Sequence, residues 1–250
     1  MRTEINKYLQ LKYIFVYLFI ILFAYVAYKT FFHNQIYKAN NSINSVKEIK
    51  SIHNDKSSVK SITYNKLIII GDSRMEFLEK RGESIDIPTN SFFIALNGAS
   101  FDWFNDTALD KLESKLDNLD SRYKYHVVLN MGVNDLQNEQ KPSHYVNNYY
   151  EKYLDLMKKY SNVNFYFLSV NPITESKLNK WQPWSYRTNE RIEEFNYELN
   201  YKLKKQELSN YFYCDSYNNI EFGIPDGIHY DEETDQKIID FISNKCIIYN

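Results

Sequence analysis

The stretch that decides the fold is 66-KLIIIGDSRM-75. Leu67, Ile68, Ile69 and Ile70 form an unbroken apolar run rich in β-branched side chains, which suits a strand covered on both faces. Gly71 permits a sharp turn, and Ser73 falls where a helix would open, its hydroxyl near the positive end of the helix dipole. Four more runs of this kind follow, at 92–96, 125–131, 164–170 and 211–215. Segments with helical spacing lie between them at 106–119, 145–160 and 189–206, and another at 232–244 closes the chain. Strand alternating with helix predicts an α/β domain with a parallel sheet and helices on both faces. Sites in such sheets form at the carboxyl ends of the strands, where loops meet helix N-termini.

Chemistry-bearing residues cluster at those ends. After the first strand comes Gly71-Asp72-Ser73-Arg74-Met75, where Ser73 is either a nucleophile or an ordinary N-cap. The second strand runs into Asn97-Gly98-Ala99-Ser100, whose glycine lets a backbone N–H approach a ligand or simply makes a turn. Gly132-Val133-Asn134-Asp135 follows the third strand; its asparagine amide is a neutral, directional donor suited to an oxyanion, or else forms an Asx-turn. After the fifth strand stands Pro225-Asp226-Gly227-Ile228-His229-Tyr230. An Asp three residues before a His can set the ring's tautomer and stabilise the imidazolium. The chain has only 5 histidines, which makes this pairing more informative.

Taken together and in this order, the blocks supply each role of acyl transfer once. The chain thereby resembles the SGNH/GDSL hydrolases, whose signature is a GDS serine, a glycine, a G-x-N-D asparagine and a late D-x-x-H. The resemblance covers about 66–244. It implies a three-layer α/β/α, flavodoxin-like fold with a five-stranded parallel sheet, and it implies serine esterase activity. The carry-over makes Ser73 the nucleophile, His229 its base and Asp226 the residue that orients His229. The implied oxyanion hole is the Ser73 N–H, the Gly98 N–H and the Asn134 side chain. The second block departs from the pattern, because a glycine usual just after the position of Gly98 is missing and Ser100 stands nearby. The backbone donor is therefore either Gly98 or Ser100. Asp72 and Asp135 read as hydrogen-bonding supports.

Three further residues are candidates for substrate contact. Arg74 follows the nucleophile and suits an anionic group, or else makes a salt bridge. Trp181 and Trp184, in 179-NKWQPWSYR-187, either stack on a substrate ring or pack their loop onto the domain. Metal binding lacks support, since no two histidines have ligand spacing, and the expected chemistry needs no cofactor.

Before this domain the sequence changes character. Residues 13–28, YIFVYLFIILFAYVAY, carry no charge and are bracketed by Lys12 and Lys29. Extended to residue 32 with its flanking lysines snorkelling, the run can span a bilayer. Ala24 and Ala27 are out of register for a signal-peptidase site, which favours an uncleaved anchor over a cleaved signal. Arg2, Lys7 and Lys12 place the N-terminus inside and the rest outside. The expected organisation is a cytoplasmic 1–12, a transmembrane anchor at 13–32, an Asn/Ser/Lys-rich stalk at 33–63 and the hydrolase domain at 64–250.

That placement suggests a substrate in the cell envelope, such as a glycan bearing acetyl or other small acyl esters. The same triad would also serve an acyltransferase or a lipid esterase, and a silent, membrane-tethered assembly factor is the rival from another class. The net charge of -2 shows no sign of a nucleic-acid partner. The 23 tyrosines raise the aromatic content to 17%, which fits codon bias better than a function. Cys214 and Cys246 are too few for a metal or disulfide framework, leaving either two buried thiols or, outside the cytoplasm, one bridge.

Overall fold

The computed structural model describes residues 64–89 and 91–247. Five strands form one sheet: β1 (Tyr64–Gly71), β2 (Phe92–Ala95), β3 (Tyr123–Asn130), β4 (Asn164–Leu168) and β5 (Tyr211–Cys214). Their order is β2-β1-β3-β4-β5, and every pairing is parallel. The five expected strands are all present, each within a few residues of its expected bounds.

The helices are α1 (Ser73–Lys80), α2 (101–116), α3 (Pro142–Lys159), α4 (Glu175–Leu178), α5 (Asn189–Lys204) and α6 (Glu232–Phe241). Helix α2 contains a wide π-type turn at Phe104–Ala108 and starts earlier than its expected 106. Its aromatic start, Phe101-Asp102-Trp103-Phe104, has low helix propensity and is held by tertiary contacts instead. The 8-residue α1 and 4-residue α4 are too short to show a helical period in sequence.

Alternate residues of β1 feed two separate cores. Ile68 and Ile70 pack with Val127, Leu129, Phe165 and Phe167 under α2, α3 and α5. Leu67 and Ile69 pack with Val128, Tyr166 and Leu168 under α1 and α6. Each fully buried isoleucine contributes about 1.5–3 kcal/mol relative to exposure. This is the expected three-layer α/β/α arrangement.

Cys214, at the end of β5, is joined to Cys246 by a disulfide, with a Cα–Cα distance of 5.7 Å. Both cysteines are also buried. The expected cytoplasmic segment, anchor and stalk at 1–63 lie outside the described residues. Among the described residues no helix is long and apolar enough to cross a membrane.

The strand order places the site. The chain leaves β1 toward β2 on one side and returns to β3 on the other, so the β1 and β3 ends flank the point where the winding reverses. A crevice opens at such a point. Gly71 of β1 stands opposite Asn130 of β3 and Ala95 of β2, which brings the three following loops side by side.

Candidate active site

Asp72 ends the β1 turn and caps α1. Its backbone is extended (φ -88°, ψ -157°), and its carboxylate accepts the Arg74 N–H at 2.9 Å. Ser73 is thus the first helical residue, so its N–H has no carbonyl one turn back to bond within the helix. Burial pushes the Asp72 carboxyl up from its ordinary value, against the opposing pull of Arg74.

The late loop comes back from β5 across the strand ends to meet Ser73. His229 Nε2 lies 3.0 Å from Ser73 Oγ, and His229 Nδ1 lies 2.6 Å from Asp226 Oδ2. Asp226 Oδ1 accepts two backbone N–H groups, from Ile228 at 2.9 Å and His229 at 2.7 Å. Partial burial raises the Asp226 carboxyl, but these donors and the His229 ring outweigh it and hold it below its ordinary value. The edge of Phe77 meets the His229 ring at 4.6 Å between centroids. Gly227, at φ +102°, makes this turn possible; a Cβ there would sit 2.5 Å from the backbone nitrogen of Leu178. The resulting relay can take a proton from Ser73 and return it to a leaving group.

The opposite wall comes from the second and third loops. Asn134 is buried; its Nδ2 donates to the Ala99 carbonyl at 2.9 Å. Asp135 Oδ1 accepts the Phe101 N–H at 2.9 Å, and its Oδ2 accepts the Tyr149 hydroxyl at 2.8 Å. Burial raises the Asp135 carboxyl to about 6. Asp72 and Asp135 are therefore the supports expected of them.

The turn that Asn134 and Asp135 grip contains both candidates for the backbone donor. The Ala99 N–H is taken by the Leu96 carbonyl and that of Phe101 by Asp135. The choice narrows to Gly98 and Ser100. Gly98 sits at φ +75° with open space where a Cβ would be, so it is glycine for its backbone conformation and not for close packing.

Arg74 does not face substrate, a correction to its expected role. It is 1% exposed, and its guanidinium donates to Ile228 O at 3.0 Å, Asn171 O at 2.8 Å and Pro172 O at 3.0 Å. A cation in the interior seeks carbonyl acceptors. Here it fastens the His229 loop to the helix bearing Ser73.

Trp181 is 44% exposed, and its indole N–H donates to the Asp226 carbonyl at 3.0 Å, so its loop does border the triad. Trp184 is 73% exposed, so Trp181 and not Trp184 ties this loop to the domain.

Sequence reading passed over Arg187, which carries no motif. It is 2% exposed; Nε donates to Val133 O at 2.7 Å, and Nη2 reaches Asn134 Oδ1 at 3.2 Å and Gln137 Oε1 at 3.3 Å. Burial lowers its pKa to about 10, so it stays cationic at neutral pH. Among the described residues no group of three or more His, Cys, Asp or Glu is placed to hold a metal ion.

The family model for GDSL-like lipase/acylhydrolase matches residues 67–242. No curated protein matches the chain. Solved structures match it at low identity. A Bacteroides fragilis protein described as an acylhydrolase has a TM-score of 0.56 at 16% identity, covering 71% of this chain and 84% of that one. A GDSL-like lipase from Bacteroides thetaiotaomicron has a TM-score of 0.54 at 15% identity, covering 81% and 95%. A carbohydrate acetylesterase from Sinorhizobium meliloti has a TM-score of 0.50 at 13% identity, covering 72% and 99%.

Proposed function

This chain belongs to the GDSL-like lipase/acylhydrolase family and acts on ester bonds, and we propose that it removes acetyl or other small acyl groups from cell-envelope glycan. The observation that carries the mechanism is the unbroken relay from Asp226 through His229 to Ser73, at 2.6 and 3.0 Å.

Ser73 Oγ attacks the ester carbonyl while its proton passes to His229 Nε2. Asp226 holds Nδ1–H and stabilises the imidazolium. The oxyanion is met by the Ser73 N–H, an Asn134 N–H and the N–H of Gly98 or Ser100; each donor of this kind is worth about 3 kcal/mol. As the intermediate collapses, the C–O bond to the sugar breaks and Nε2–H protonates the departing oxygen. Water then repeats the cycle on the acyl-serine, releasing the carboxylic acid and restoring Ser73.

Two features support an extracytoplasmic glycan as substrate. The Cys214–Cys246 bridge suits an oxidising compartment, in keeping with a single-pass anchor at 13–32 and the N-terminus inside. Trp184 stands 73% exposed on the loop tied to Asp226, and a flat aromatic face suits the apolar face of a sugar ring. A carbohydrate acetylesterase built on the same fold is compatible with this choice.

The test uses the purified full chain and an acetylated glycan. Acetate release and fluorophosphonate labelling, both lost in Ser73→Ala, are the expected results. Acetate release that survives Ser73→Ala would sink the mechanism. Labelling at Ser73 without acetate release would keep the mechanism and reject the substrate.

A further inference from the structure

Asn134 has four hydrogen-bonding positions in its side-chain amide, two on Oδ1 and two on Nδ2. Arg187 Nη2 occupies one on Oδ1 at 3.2 Å, and the Ala99 carbonyl takes one Nδ2–H at 2.9 Å. A guanidinium only donates and a carbonyl only accepts, so both neighbours dictate the same amide orientation. Reversing the amide would put an N–H against a cation and an oxygen against a carbonyl. One Nδ2–H remains, its direction fixed by the amide plane.

Arg187 is itself immobilised. Its Nε is bonded to Val133 O at 2.7 Å, on the residue just before Asn134. It ends the aromatic loop, where the neighbouring Tyr186 N–H donates to Gln137 O at 3.0 Å. The other end of that loop holds the Asp226 carbonyl through Trp181 at 3.0 Å. Thus one loop touches both the charge-relay side and the oxyanion side of the site.

We propose that Arg187 is the positioning residue of the oxyanion hole: its buried guanidinium locks and polarises the Asn134 amide, aiming its remaining N–H at the developing negative charge. The proposal rests on the esterase mechanism above. A cation on the carbonyl end of an amide draws electron density from its nitrogen and strengthens the opposite N–H as a donor. In the ground state that N–H faces a neutral carbonyl oxygen, and in the transition state a full negative charge. The benefit therefore falls on kcat and not on KM.

The test is a double-mutant cycle on a small chromogenic ester, p-nitrophenyl acetate, with folding checked by thermal melting. Arg187→Met lowers kcat about tenfold to a hundredfold with KM unchanged within about twofold, and Asn134→Ala lowers it about 10²–10³-fold. The double variant is no slower than Asn134→Ala by more than about threefold, because Arg187 acts through Asn134. Losses that multiply in the double variant overturn the proposal. Arg187→Lys, which keeps charge without the planar fork, recovers part of kcat.

A second readout is independent of turnover. The side-chain amide NMR signals of Asn134, assigned by their loss in Asn134→Ala, are expected to shift and broaden in Arg187→Met. Signals that stay unchanged overturn the proposal even if activity falls. A wild-type chain that neither turns over ester nor labels at Ser73 instead rejects the esterase mechanism, and the amide signals still decide whether Arg187 orients Asn134.

Discussion

Replacing Asp226 by asparagine should damage the enzyme more than replacing it by alanine, because the surrounding backbone dictates how an asparagine must sit. Oδ1 of Asp226 accepts the N–H groups of Ile228 and His229 at 2.9 and 2.7 Å, while Oδ2 faces His229 Nδ1 at 2.6 Å. An asparagine has a single oxygen, and the two fixed backbone donors claim it. Its NH2 group must then face Nδ1. That forces the ring to accept at Nδ1 and to carry its proton on Nε2, where it donates to Ser73 and cannot take the serine proton. In serine-protease triads such a wrong-tautomer change costs about 10⁴-fold in kcat. The Asp226 side chain is 47% exposed, so water shares its electrostatic role and the expected loss is about 10³-fold. With Asp226→Ala the ring is free to choose its tautomer and water can reach the vacated donors, so a loss of about 10²-fold follows. The assay is kcat on p-nitrophenyl acetate for both variants, with ¹⁵N NMR of His229 to read the tautomer. An alanine variant slower than the asparagine variant would refute the reasoning, as would His229 keeping its Nδ1 proton in Asp226→Asn.

Two other perturbations separate substrate recognition from stability. Trp184→Ala should raise KM for acetylated glycan about threefold to tenfold, the worth of one aromatic stacking contact, and leave p-nitrophenyl acetate turnover unchanged; equal effects on both substrates would argue against a sugar platform. Paired Cys214→Ser and Cys246→Ser substitutions open a loop closed across a sequence separation of 32, costing about 3–4 kcal/mol in the chain-entropy account and lowering Tm by about 6–16 °C. Two titratable thiols in the denatured, unreduced protein would show that the bridge is not formed.

Periodicity and punctuation determined much of this protein. Unbroken apolar runs such as Leu67–Ile70 suit strands buried on both faces, and their alternation with helical segments points to a parallel sheet. The residues after Ile70, Met131 and Pro225 were legible as chemistry because acyl transfer needs a serine, a neutral donor and a carboxylate–imidazole pair, and the chain offers each at a strand end. Local sequence carries such information because turn, cap and strand propensities act over a few residues.

Only the tertiary structure decided the partners of buried charge. On paper Arg74 stands beside the serine and Arg187 lies far from any motif, and neither position reveals its partners. Arg74 turns inward to three carbonyls on two distant loops, and Arg187 reaches 53 residues back to Asn134. Those partners are brought together by the order β2-β1-β3-β4-β5, which no local pattern encodes. The pairing of Cys214 with Cys246 has the same origin, since α6 leads the chain back beside the end of β5. Most buried donors find an acceptor wherever the fold puts one, and so the supports of the site were settled by packing while its reacting groups were already written in the chain.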